Sequence, residues 1–124
     1  MKEALRDASS DISLHVAPDG EQALRYLRRE PPFEKCRRPS LIFLDLNLPR
    51  GTSKDILRQI KADASLRTIP VAVLTSSDAD RDIREAYELF ANCYLRKPVD
   101  LDSFITTIRS AVTFWMDVAR LAPE

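Results

Sequence analysis

Two unbroken apolar runs, Leu41–Leu44 and Val71–Leu74, constrain the fold of this chain more than any other feature. A strand with one face in water alternates apolar and polar residues. A run without alternation suits a strand buried on both faces, as in parallel sheets. Segments of helical periodicity lie between such runs. From Ser53 to Asp63, Ile56, Leu57 and Ile60 fall on one face. From a cap at Ser77, the stripe Ala79, Ile83, Ala86, Tyr87 and Phe90 does the same. Pro70 opens the strand Val71–Thr75, and Cys93–Arg96 predicts a further short strand. Asp100 caps a last helix with Phe104, Ile108, Ala111, Val112 and Trp115 along one side. Upstream, Asp19 and Gln22 have the spacing of a capping box, and that helix, with Ala23, Leu24 and Leu27 inward, ends at Pro31 and Pro32. Ile12, Leu14 and Val16 alternate and predict a strand over Ile12–Val16, and Met1 to Ala8 reads as part of a helix. Strict strand–helix alternation means βα units and a parallel sheet. The 124 residues fit one domain, 1–124.

Charge excludes some functions. Lys and Arg number 19 and so do Asp and Glu, which leaves no electrostatic argument for nucleic acid or a membrane surface. The apolar runs are too short to span a bilayer and no signal-peptide pattern begins at Met1, so the expected location is the cytoplasm. Only Gly20 and Gly51 are glycine, so no glycine-rich phosphate loop exists. Cys36 and Cys93 make no metal-ligand spacing with His15.

In open α/β sheets, sites gather at the carboxyl ends of the strands. Three strands here end in a carboxylate, a hydroxyl and an ammonium: Asp45, Thr75 and Lys97. Singly, Asp45 could open a turn, Thr75 could belong to a capping cluster with Ser76 and Ser77, and Lys97 could be a solvated strand end. On three consecutive strand ends, they make a set. A carboxylate can attack phosphorus to give an aspartyl phosphate. An ammonium beside it neutralises phosphoryl oxygens, a hydroxyl hydrogen-bonds one, and a hard cation such as Mg²⁺ bridges carboxylate and phosphate. Asn47, two residues after Asp45, could add its backbone carbonyl to that shell.

The stretches LIFLDLNLP around Asp45, IPVAVLTSS around Thr75 and NCYLRKPVD around Lys97 resemble the receiver domain of two-component response regulators. With Phe114–Trp115 on the last helix, the chain is similar to the small single-domain regulators that partner bacterial phytochromes and other sensor kinases. The resemblance implies a flavodoxin-like, CheY-like, doubly wound fold. It implies Asp45 as phosphoacceptor from a sensor histidine kinase, with Thr75 and Lys97 acting on the phosphoryl group. It further implies Tyr94 as an aromatic switch, the Asn47 carbonyl and Asp45 as Mg²⁺ ligands, and a cis bond at Lys97–Pro98. The signalling protein so implied is not an enzyme and acts through protein contacts.

Two departures accompany the resemblance. Ser53 stands where the family usually has glycine. The family's first strand, which ends in an acidic pair holding Mg²⁺, has no counterpart, because Met1 falls inside the family's first helix. Asp7 and Asp11 follow no buried strand and do not replace that pair. The chain therefore reads as N-terminally incomplete, with a weakened or lost metal site and impaired phosphorylation. In the family's strand order, 2-1-3-4-5, the gap would lie inside the sheet. Each unpaired buried backbone group there costs about 1–3 kcal/mol, against a domain stability of roughly 5–15 kcal/mol. Two remedies are expected. Either Ile12–Val16 shifts to pair with Leu41–Leu44, or two chains pair or swap elements into a homodimer. The run Phe114–Trp115–Met116 cannot be buried on one helix face, which also favours a partner surface.

Two alternative functions follow. A phosphorylation-deficient module would keep the receiver fold for docking or dimerisation. A phosphatase of the haloacid dehalogenase type would share the strand-end aspartate and distant lysine. That class needs a second aspartate two residues on as general acid, and Asn47 cannot transfer protons that way.

Overall fold

The computed structural model describes residues 13–47 and 52–123. They form helix α1 (Gly20–Leu27), strand β1 (Ile42–Asp45), helix α2 (Thr52–Ala62), strand β2 (Val71–Thr75), helix α3 (Asp80–Glu88), strand β3 (Cys93–Arg96) and helix α4 (Leu101–Thr113). A π-helical turn, Phe114–Val118, continues from α4. Two compact units result: Ala17–Arg96, and a second that takes in residues 13–16 and 97–123. No described helix is long and apolar enough to cross a membrane.

The first unit is built around β2. All five of its residues are buried, and it pairs in parallel with β1 on one side and β3 on the other. The order among the described residues is β1-β2-β3. Val71 and Val73 join Leu44 of β1 with Leu57 and Ile60 of α2 in the core, and Leu24, Leu89 and Tyr94 pack against it. The helical spacing of Ile56, Leu57 and Ile60 thus delivers all three to the interior. Helix α1 begins where Asp19 Oδ1 accepts the Gln22 N–H at 2.9 Å, which satisfies one orphan donor of its first turn. A Cβ on Gly20 would overlap the buried side chain of Ile56, so glycine is needed there for space.

The amino-terminal end of β2 is tied by Lys61 and Asn92. The Lys61 ammonium donates to the carbonyls of Arg67 and Ile69, each at 3.1 Å, and to Asn92 Oδ1 at 2.8 Å. Asn92 Oδ1 also accepts the Val71 N–H at 2.8 Å, and the Asn92 N–H donates to the Val71 carbonyl at 2.9 Å. Burial pushes the Lys61 ammonium below the ordinary lysine range. Three acceptors compensate for that desolvation, so the loop before β2 and the loop before β3 are held by one cation.

Four expectations need correction. Ser13–Val16 is irregular, and Leu14 and Val16 are exposed, so the predicted strand Ile12–Val16 does not form over its described residues; Ile12 lies outside them, as does the predicted helix from Met1 to Ala8. Period-two alternation makes a strand only where another strand supplies hydrogen bonds, and among the described residues β1 pairs with β2 alone. Ser77 is not the N-cap of α3. Ala79 takes that place, and Ser77 Oγ accepts the Ala79 N–H while donating to Asp82 Oδ2 at 2.6 Å. Tyr87, 48% exposed, and Phe90 leave the apolar stripe. Helix α3 ends at Glu88, and Phe90, with φ 69°, turns the chain and stands 72% exposed, so Leu89 packs on the core instead. The cis bond among the described residues is Pro31–Pro32, and Lys97–Pro98 keeps the ordinary trans form.

In the second unit, α4 buries Ile108 and Val112 as its spacing predicts, and Phe114, Met116 and Val118 of the π-helical turn are exposed. Its N-cap is Asp100. The Ser103 N–H donates to Asp100 Oδ2 at 2.9 Å, and hydrogen bonding from Ser103 holds this carboxyl below the usual aspartate range. A carboxyl depressed on folding stabilises the folded form at neutral pH and loses that contribution as the pH falls through its folded pKa. Asp100→Asn keeps a capping oxygen but not the charge. We expect its thermal midpoint to fall less than that of the unmodified protein as the pH drops below about 4. Parallel pH profiles for the two proteins would contradict this assignment.

Candidate functional site

The register of the sheet sets which residues meet at its carboxyl edge. Asp45 is opposite Leu74 across β1 and β2, and Thr75 is opposite Arg96 across β2 and β3. Asp45 and Thr75 therefore end neighbouring strands, about 4.8 Å apart in the hydrogen-bonding direction. Asp45 is half-buried and Thr75 is buried. A strand buried on both faces can end in a polar residue only where the sheet stops, which is why these side chains emerge at this edge.

Two contacts fix Asp45. Its carboxylate Oδ1 accepts the Asn47 N–H at 2.8 Å, an Asx turn at the end of β1. Its backbone carbonyl accepts from Ser53 Oγ at 2.6 Å. Ser53 is only 1% exposed, so α2 presses a hydroxyl against the end of β1. This accounts for serine where glycine was expected: the side chain fills the space and satisfies a strand-end carbonyl.

Asn47 was expected to contribute its backbone carbonyl. What stands out is its side chain. Asn47 Oδ1 accepts the Ser76 N–H at 2.9 Å, so the loop after β1 is stitched to the loop after β2. Thr75 Oγ1 accepts the Ser77 N–H at 3.1 Å, which leaves the hydroxyl proton for another acceptor. Tyr94 on β3 is half-buried, and its hydroxyl donates to the Ser77 carbonyl at 2.9 Å. Asp45, Asn47, Thr75 and Tyr94 thus share one hydrogen-bonded edge, with Ser77 at its centre. Lys97 follows Arg96 directly in the chain and is half-buried. Among the described residues no group of three or more His, Cys, Asp or Glu could hold a metal ion. The donors on this edge that suit a hard cation are the Asp45 carboxylate and backbone carbonyls. That set fits Mg²⁺ completed by phosphate oxygens and water, since Mg²⁺ commonly uses one or two carboxylates.

Ser53, Ser77 and the Asn47 side chain were not anticipated as site residues. None lies in an apolar run, and each bonds a partner that the spacing of the sequence does not point to.

The model of the response regulator receiver domain matches residues 1–109. The chain belongs to the response regulator receiver domain family. Response regulator Rcp1 of Synechocystis sp. is 36% identical over 121 residues, which are 98% of this chain and 82% of that protein. A probable methanogenesis regulatory protein, FilR2, of Methanothrix harundinacea is 39% identical over 98 residues, which are 79% of this chain and 63% of that protein. Among solved structures, the phosphorylated cyanobacterial phytochrome response regulator RcpA superposes with a TM-score of 0.91 at 36% identity, covering 98% of this chain and 87% of that one. The Mn(2+)-bound form of Rcp1 gives 0.88 at 35% identity, covering 98% and 88%. The three parallel strands and the helices after them are those of a CheY-like receiver domain, and response regulators are signalling proteins of two-component systems.

In this receiver domain Ser53 anchors the end of β1. Ser53→Ala leaves the Asp45 carbonyl without that donor. The expected loss is about 1 kcal/mol of unfolding free energy, read as a lower urea midpoint at unchanged m-value. An unchanged midpoint would show that the contact adds nothing.

Proposed function

We propose that this receiver domain, taken over the whole chain 1–124, accepts a phosphoryl group on Asp45 from a phosphohistidine of a sensor kinase. A phytochrome-like kinase is the preferred donor, on the strength of the phytochrome response regulator RcpA among its relatives. The observation that carries the reading is the shared edge: a strand-end carboxylate on the strand beside a hydroxyl, Thr75 Oγ1, that accepts the N–H of Ser77, the residue whose carbonyl accepts from Tyr94.

The chemistry follows from charge. A carboxylate oxygen of Asp45 attacks phosphorus, the bond from phosphorus to the kinase histidine breaks, and the imidazole leaves with the electron pair. Positioning and charge neutralisation do most of this work. Asp45 and the Asn47 carbonyl would hold Mg²⁺, which when bound would supply positive charge to the phosphoryl oxygens, and Lys97 would add its ammonium. With one carboxylate from the described residues, this site would hold the cation weakly. The proton left on Thr75 Oγ1 is donated to a phosphoryl oxygen. To turn toward it, Thr75 gives up the Ser77 N–H, and the Ser77–Tyr94 contact is redrawn. The bond energies involved are each about 1 kcal/mol, small enough for a charge-assisted bond to the phosphoryl group to outweigh them. The loop after β2 thereby reports the state of Asp45 to a protein partner.

Incubation with acetyl phosphate and Mg²⁺, followed by intact-mass measurement, tests the reading. We expect partial incorporation of one phosphoryl group, rising with Mg²⁺ concentration and absent from Asp45→Asn. A protein that takes up none at saturating Mg²⁺ would instead be a receiver-like module that signals without phosphorylation.

A further inference from the structure

A cleft between α2 and α3 is lined by Arg58, Arg81, Arg84, Glu85, Glu88 and Leu89. It lies outside the site just described and uses none of its residues. Its volume is about 480 Å³, within the roughly 300–1,000 Å³ of small-molecule sites.

Its charges are not balanced internally. Glu85 is already engaged by Lys54, whose ammonium lies 3.0 Å from Oε1 and bridges the two helices. Arg58 gives one nitrogen to Asp55 on its own helix at 2.8 Å and keeps its remaining N–H donors. Arg81 and Arg84 are three apart on α3, so they project from neighbouring positions of one helix face. Neither makes an ion pair among the described residues. Arg84 and Glu88 have the spacing of a helical ion pair, yet they do not form one. The walls of the cleft therefore offer two uncommitted guanidinium groups and part of a third, with Glu88 as the one unengaged carboxylate.

Guanidinium forks match phosphate oxygens in pairs, and such charge-assisted bonds are about twice as strong as neutral ones. Three forks on two facing helices exceed what one phosphate can use and suit two linked phosphates. Leu89 is half-buried and supplies the apolar contact in the lining. We propose that this cleft is a binding site for a diphosphate group, and that a nucleoside diphosphate is preferred because its base lies on Leu89 and its amino edge reaches Glu88.

Isothermal titration of the whole unphosphorylated protein with sodium pyrophosphate and with ADP tests this. The expected result is saturable one-to-one binding of both, weakened by added salt, with ADP tighter. The double variant Arg81→Ala/Arg84→Ala should lose about tenfold or more in affinity for each ligand, with an unchanged far-UV spectrum. Arg25→Ala, which removes the exposed partner of Glu21 on α1, should bind as the unmodified protein does. Equal affinity for the two ligands would support a diphosphate site and overturn the contact to the base. No saturable binding of either ligand, or an equal loss in Arg25→Ala, would overturn the site altogether.

Discussion

Strand β2 is the element on which the rest depends. Its five residues are buried, and both of its edges are hydrogen-bonded. A strand so enclosed cannot slip by one residue without exchanging which side chains face which helix layer. Its register therefore fixes the neighbouring strands, and through them the level at which the sheet ends. Asp45 and Thr75 stand at that level because Leu44, Val73 and Leu74 just below them are committed to the interior. The two ends of β2 are treated differently. At the amino end, Lys61 and Asn92 tie the carbonyls of Arg67 and Ile69 and both backbone groups of Val71 into one network. At the carboxyl end, the bonds run through exposed or part-buried serines that can be remade. Rigidity at one end and exchangeable bonds at the other suit a domain that must hold its fold while changing one loop.

Much of this was legible in the sequence. Unbroken apolar runs marked β1 and β2, because only strands covered on both faces can afford them. Asp19 and Asp100 announced the starts of α1 and α4, since a cap is a local event between residues three apart. The less legible features depend on distant partners. Ile12–Val16 has a strand's alternation, but alternation says nothing about whether another strand is present to pair with Ser13–Val16. Phe90 continues the apolar stripe of α3 in sequence, yet the helix stops before it. No glycine or asparagine stands at that position to signal the left-handed turn. Ser53 reaches back eight residues to Asp45, and Asn47 reaches forward twenty-nine to Ser76; such distances follow from the loop paths, not from spacing.

Asp45 and Thr75 close their apolar strands as the runs predict, and Lys97 comes directly after β3. That Ser77 gathers Thr75, Tyr94, Ala79 and Asp82 into one set of bonds is a product of the tertiary structure. On the proposed function, this set carries a change at Asp45 to the surface, since Asp82 belongs to the first turn of α3 and Tyr94 to β3.

On the proposed function, the loop Ser76–Ser77 reads the state of Asp45. The most direct measurement is the amide spectrum of ¹⁵N-labelled protein titrated with beryllofluoride, a phosphoryl mimic, in the presence of Mg²⁺. The amides of Asn47, Ser76 and Ser77 are expected to shift together with Tyr94, while Asn92 and Val71, at the far end of β2, stay in place, and Asp45→Asn is expected to show none of these changes. Shifts confined to Asp45 and its sequence neighbours, with Ser77 and Tyr94 unmoved, would contradict it.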